Sequence, residues 1–163
     1  MGPQRVIGVD LGGTKIAAGS IDADGHLHER NEVPTPVDSQ EELLEAIVSA
    51  IEPLAGERVD AIGFGIPSVI DRSTGKSLGS VNIPLRDVVL TDLTQERFGI
   101  PAVVENDANV AALAEWKLGA GRGADDLVML TLGTGVGGGL VLGGSLYRGI
   151  AELGHVEIGR AHV

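Results

Sequence analysis

Two glycine-rich turns, each entered directly from an apolar run, constrain this chain more than any other feature. The first is Asp10-Leu11-Gly12-Gly13-Thr14-Lys15, after residues 6–9. The second is Gly133-Thr134-Gly135-Val136-Gly137-Gly138-Gly139, after residues 127–132. Glycine lets the backbone turn with positive φ and approach a ligand with no Cβ in the way. Consecutive N–H groups in such turns aim at an anion. Two of them in one chain predict a polyphosphate held from two sides. Between them, Glu105-Asn106-Asp107-Ala108-Asn109 opens an alanine-rich helix. The pattern reads as phosphoryl transfer with a base in the middle.

Other glycine motifs fit less well. The second turn matches G-x-G-x-x-G at Gly133, Gly135 and Gly138, but dinucleotide binding requires a helix next. Gly139-Leu140-Val141-Leu142-Gly143-Gly144 reads instead as strand and turn. Gly75-Lys76-Ser77 lacks the upstream glycine of a Walker A loop, position 70 being Ile70. A β-turn-β phosphate loop remains, with a plain glycine hairpin as its alternative.

The pattern along the chain predicts strands at 6–9, 15–21 and 27–33, joined by the first glycine turn and by Asp22-Ala23-Asp24-Gly25, a hairpin signal. Pro34-Thr35-Pro36 ends this meander. Ser39-Gln40-Glu41-Glu42 is a capping box, and Leu43, Leu44, Ile47, Val48 and Ile51 follow at helical spacing. Residues 61–66 read as a strand buried on both faces, and 67–90 as irregular. Thr91-Asp92 is expected to cap a short helix through Arg97. A strand at 102–104 and a helix at 107–118 complete a mixed sheet with helices on both faces. Gly119-Ala120-Gly121-Arg122-Gly123 reads as a hinge, dividing an α/β domain at 1–118 from the start of a second at 119–163. Strands at 127–132, 139–142 and 155–158 repeat the opening architecture.

Composition narrows the partners. A net charge of −11 repels phosphate backbones, so no nucleic-acid partner is expected. A neutral sugar or a metal-complexed nucleotide suits that field better. With no cysteine there is neither a disulfide nor a thiolate metal site. No secretory signal and no span of roughly 20 apolar residues leave a cytoplasmic chain without a membrane partner as the expectation.

Asp10, where a strand meets the first turn, has the placement to hold Mg²⁺ or its water, with Thr14 and Lys15 toward phosphate. A hairpin with an incidental acid is the plain alternative. Asp107 alone is an ordinary helix-start residue; beside two phosphate turns it reads as the general base, with Asn106 on a polar substrate and Glu105 a neighbour. Glu152 and His155, three apart, form a weak pair able to bond sugar hydroxyls. His26 and His28 flank Leu27 on a polar hairpin and are expected in solvent. Trp116 is expected in packing.

Together these residues resemble the ROK family, sugar kinases and related repressors of the hexokinase–actin–Hsp70 superfamily. Asp10 to Lys15 resembles its first phosphate motif, Glu105 to Ala112 its catalytic segment, Thr131 to Gly139 its second phosphate motif, and Glu152-Leu153-Gly154-His155 its sugar-binding E-x-G-H. The resemblance implies a ribonuclease H-like α/β fold with a mixed sheet, and phosphorylation of a glucose-like hexose at O6 by Mg²⁺ with ATP. It implies Asp107 as base, Gly65, Asn82, Asn106, Glu152 and His155 on the sugar, and Asp10, Gly12, Gly13, Thr14, Lys15, Gly133, Thr134, Gly135 and Gly137 on nucleotide and phosphate. Many members bind zinc through the motif histidine and a cysteine cluster; here His155 has no such partner, so zinc is not expected. The chain stops at Val163, before the half that in the family holds adenosine, so an N-terminal half impaired alone and prone to homodimerisation or other self-association is expected. Five residues before Val6 leave no helix-turn-helix, which favours the kinase branch. A non-catalytic sugar-binding or assembly module, a regulator fragment, and an actin-like scaffold are the alternatives.

Overall fold

The computed structural model describes residues 5–56, 59–132 and 136–149, and apolar alternation sets its first sheet. Strand β1 (Arg5–Leu11) buries Ile7, Val9 and Leu11 on one side. β2 (Lys15–Asp22) runs antiparallel to it, placing Ile16 opposite Leu11 and Ala18 opposite Val9. β3 (Leu27–Pro34) returns beside β2, completing the expected meander. Its hairpin is closed by Asp22, whose Oδ1 accepts from the amides of Asp24 at 3.0 Å and His26 at 2.9 Å. The His28 side chain first, then the His26 amide, hold the Asp22 carboxyl well below the ordinary carboxylate range.

Helix α1 (Gln40–Ile51) starts where the capping box predicts. Ser39 Oγ accepts from the Glu42 amide at 3.1 Å. Leu43, Ile47, Val48, Ala50 and Ile51 are buried, and a 3₁₀ turn at Glu52–Leu54 follows. The chain then enters β4 (Val59–Ile66), parallel to β1. Residues 67–90, expected to be irregular, contain β5 (Val69–Asp71), β6 (Lys76–Gly79) and β7 (Val88–Val89), a small antiparallel sheet. Such short strands carry no apolar alternation to betray them. Hydroxyls do part of the work inside: Ser68 Oγ meets Ser77 Oγ at 2.7 Å and donates to the Gly79 carbonyl at 2.8 Å.

Helix α2 (Leu90–Phe98) begins one residue before the expected Thr91-Asp92 cap, has no side-chain cap, and ends at Gly99 with φ +66°. β8 (Ala102–Asn106) then joins β4 in parallel, giving a mixed sheet of order β3-β2-β1-β4-β8. One cluster joins Ile7, Val9, Leu11, Ile62, Phe64 and Ile66 to Ile47 and Ile51 of α1 and Leu90 of α2. Each such fully buried side chain contributes about 1.5–3 kcal/mol. Helices α1 and α2 therefore pack on the same face of this sheet. The other face carries Val6, Gly8, Asp10, Gly63, Gly65 and Val103, and Gly19, Gly8 and Gly63 align across three strands. On the core side Ile62, Phe64 and Ile66 of β4 are buried, whereas on the other Ala61 and Gly63 are half-buried and Gly65 is buried.

Two compact units divide at Asp107/Ala108. Helix α3 (Asp107–Lys117) thus runs, from its second residue, with β9 (Leu127–Leu132), β10 (Val136–Leu142) and β11 (Ser145–Leu146), which form an antiparallel sheet of order β11-β10-β9. Residues 119–123, expected as a hinge, form a closed turn after α3. Gly119 and Gly121 amides donate to the Glu115 carbonyl at 3.1 and 2.9 Å. The indole of half-buried Trp116 donates to the Ala124 carbonyl at 2.8 Å, and Lys117 Nζ lies 3.4 Å from its ring centroid. The strand expected at 155–158 lies outside the described residues. Among the described residues no helix is long and apolar enough to cross a membrane.

Candidate active site

Three parallel strands, β1, β4 and β8, end side by side, and ligands of open α/β sheets bind beyond such carboxyl ends. Register pairs Asp10 with Gly65, and Gly65 with Glu105. With adjacent strands about 4.8 Å apart, Asp10 and Glu105 stand about 10 Å apart on either side of Gly65, which is buried and carries no side chain. Asp10 is exposed there. Asn106 ends β8 and Asp107 is the first residue of α3, both half-buried. A carboxylate in that position meets the positive end of the helix dipole.

The first glycine turn is built for a backbone approach. The Gly12 amide donates to the Lys15 carbonyl at 3.0 Å, and a Cβ on Gly12 would sit 2.9 Å from that oxygen, so only glycine fits. Thr35, read from sequence only as part of a strand terminator, fastens the turn. Its hydroxyl donates to the Gly12 carbonyl at 2.7 Å and its amide to the Thr14 carbonyl at 3.1 Å. Gly13 and Thr14 remain exposed. Asn82 is brought to the same turn: a Cβ on Gly13 would lie 3.8 Å from its Cβ. Lys15 is exposed and donates to Glu32 Oε1 of β3 at 2.9 Å. That bond, with Arg30 on the same carboxylate, holds the Glu32 carboxyl below its ordinary range.

Glu105, set aside as a neighbour, is tied into the site. Arg72 grips both of its oxygens, at 3.1 and 3.2 Å, a bidentate pair, and Glu105 Oε1 also accepts from the Asn106 amide at 3.0 Å. Arg72 projects from the β5–β6 turn, where Asp71 Oδ1 accepts from the Ser73 hydroxyl at 2.7 Å and amide at 2.9 Å. The Ser73 side chain leads in holding the Asp71 carboxyl low. No sequence signal joins Arg72 to Glu105, because the contact spans 33 residues and a segment read as irregular.

In the second unit, Gly137 stands in β10, where a Cβ would lie 2.5 Å from Thr131 Oγ1. A strand and not a helix follows the second turn, as the rejection of a dinucleotide fold requires. Gly133, Thr134, Gly135, Glu152 and His155 lie outside the described residues.

A family model described as ROK matches residues 6–162. The glucokinase of Streptomyces coelicolor is 42% identical over 157 residues, 93% of this chain and 49% of that protein. The putative xylose repressor of a Caldicellulosiruptor species is 31% identical over 164 residues, 94% of this chain and 41% of the repressor. The crystal structure of a ROK family glucokinase from Streptomyces griseus, in complex with glucose and AMPPNP, matches with a TM-score of 0.86 at 42% identity, over 95% of this chain and 51% of that one. The chain spans about half the length of the curated relatives it matches. Its mixed sheet is the ribonuclease H-like, actin-type sheet of those neighbours, and the chain belongs to the ROK family.

Proposed function

We propose that this chain carries the base, the first phosphate turn and the sugar contacts of an ATP-dependent hexose kinase, acting on O6 of a glucose-like sugar in the cytoplasm. The convergence of Asp10, Gly65, Asn106 and Asp107 at the carboxyl ends of three parallel strands supports this reading most. Asp107 accepts the hydroxyl proton as the sugar oxygen bonds to the γ-phosphorus and the bond to the bridging oxygen breaks. Asn106 and Asn82 orient the sugar, with Gly65 leaving room, and Glu152 and His155 complete its hydroxyl contacts. Gly12, Gly13 and Thr14 present backbone and hydroxyl to phosphate, and Gly133, Thr134, Gly135 and Gly137 do so from the second motif. Lys15 reaches a phosphate only by exchanging Glu32 for it.

Mg²⁺ fits the donor set, because Asp10 offers an exposed carboxylate paired in register with Gly65, which carries no side chain. When bound, the ion neutralises phosphate charge. These 163 residues hold no cysteine to supply the thiolates of a zinc site of the family's kind.

A coupled assay tests the reading, with the chain mixed with the C-terminal half of the Streptomyces coelicolor relative. ATP-dependent phosphorylation of glucose is expected, and Asp107→Ala should lower kcat by about 10²–10⁴-fold while leaving glucose affinity intact. A loss under about tenfold would remove Asp107 as base. Turnover by the chain alone at an ordinary kinase rate of about 1–100 s⁻¹ would contradict the idea of a half site. The repressor relative favours a second reading, a non-catalytic sugar-binding regulator or assembly module. Calorimetric binding of glucose, with no ATP binding and no turnover in the mixture, would establish that reading.

A further inference from the structure

The β2–β3 hairpin gathers four metal-ligating side chains at the opposite end of the strands from the glycine turn. Asp22 is paired with Arg5 at the start of β1, whereas Lys15, seven residues earlier on β2, pairs with Pro34 beside the turn. At about 3.3 Å per residue the two ends are roughly 23 Å apart. The hairpin therefore has no part in the phosphoryl site.

Its carboxylate is preorganised. Asp22 Oδ1 is occupied by the two turn amides of Asp24 and His26. Oδ2 faces two imidazoles, with His28 Nε2 at 2.7 Å and His26 Nδ1 at 3.5 Å. Ligand atoms of Asp22, Asp24 and His26 all lie within 4.8 Å of one another. Both histidines stay open to solvent, His26 with three-quarters of its side chain exposed and His28 with a third.

We propose that Asp22, Asp24 and His26, with His28, already on the Asp22 carboxylate, turning in as fourth donor, bind a divalent transition-metal ion of the zinc or nickel class. Bonds of about 2.1 Å to nitrogen and oxygen place tetrahedral ligands about 3.4 Å apart. The His26–Asp22 separation already matches that edge, and the His28–Asp22 contact needs to open by less than about 1 Å as the ion replaces the shared proton. Two imidazoles are what set this cluster apart from ordinary surface acids. They favour zinc, nickel and copper, whereas magnesium and calcium prefer all-oxygen shells. Two carboxylates beside two imidazole ligands balance the charge of the dication.

Calorimetry with the untagged chain and zinc or nickel chloride near neutral pH tests the site. One equivalent should bind, His26→Ala/His28→Ala should weaken it by on the order of 100-fold, and millimolar magnesium should not displace it. His155→Ala/His162→Ala, which removes the remaining two histidines, should leave the affinity unchanged. The metal should also raise the thermal midpoint of the native chain and not that of His26→Ala/His28→Ala. Binding lost with His155 and His162 and kept without His26 and His28, no binding at all, or equal competition by magnesium would each overturn the assignment.

Discussion

Glu32 and Asp71 show how single side chains carry the pH dependence of the first unit. Glu32 is held ionised by Lys15 and Arg30, and Asp71 by the Ser73 hydroxyl and amide with help from Thr74. In both, the folded carboxyl lies below its ordinary value, 4.5 for the glutamate and 3.8 for the aspartate. A lowered folded pKa means stability that is complete above the ordinary value and drains away as the pH falls through the folded one. The thermal midpoint is therefore expected to be flat with respect to these groups from neutrality down to about pH 5 and to fall below that. Glu32→Gln should flatten the acid limb, and melts across that range check it; an acid limb identical to that of the native chain would remove Glu32 from the account. The sequence named Lys15 as phosphate-facing but carried no sign of Glu32, because their contact depends on the β2–β3 register. Asp10, Gly12 and Asp107 were legible because each stands where an apolar run breaks into glycine or into a helix start. Thr35 and Arg72 were not, since a hydroxyl or guanidinium acting across 23 or 33 residues leaves no local pattern.

At the level of elements, glycine serves opposite purposes in the five-stranded sheet and in the sheet of β9–β11. In β10 it permits contact: a Cβ on Gly139 would lie 2.4 Å from Ala112 Cβ and 2.8 Å from the Ala108 carbonyl oxygen. The alanine-rich helix and the glycine-rich strand were both visible in the sequence, but not that each exists for the other. In β4 the glycine leaves space, as a Cβ on Gly63 meets only Val103, at 4.0 Å. Gly139→Ala is therefore expected to destabilise by about 1–3 kcal/mol, because a backbone atom cannot swing aside. Gly63→Ala, in extended strand, is expected to stabilise by about 0.4–1 kcal/mol through the unfolded chain. Urea melts of both variants decide the matter. A neutral Gly139→Ala would mean that α3 and β10 are not in close contact, and a destabilising Gly63→Ala would mean that something packs on the open face. The same contrast explains why β4, expected to be buried on both sides, is only half-buried at Ala61 and Gly63. Its apolar letters are half alanine and glycine, which satisfy a hydropathy pattern without supplying a surface that must be covered.

For the whole molecule, the second unit raises the question of what its sheet associates with. One face of β9–β10 meets α3 through Gly137 and Gly139. The other presents Val128, Leu130 and Leu132, which are 66%, 55% and 80% exposed, with Val136 alongside Leu132 in register. The outer edge of β9 has no partner strand among the described residues. An apolar strand with an open backbone edge is a template for another strand. Curated relatives are about twice as long as this chain. Left to itself, the chain is expected to pair with a second copy through β9. Sedimentation velocity over micromolar to millimolar concentrations should show a concentration-dependent dimer or larger species. Val128→Lys/Leu130→Lys places charge on the exposed face without touching the α3 side, so it should return the chain to a monomer with unchanged helix content. The C-terminal half of the Streptomyces coelicolor relative, added in excess, should compete with self-association and dissolve it. A native chain that stays monomeric throughout, or a lysine variant that associates as strongly as the parent, would exclude β9 as the contact.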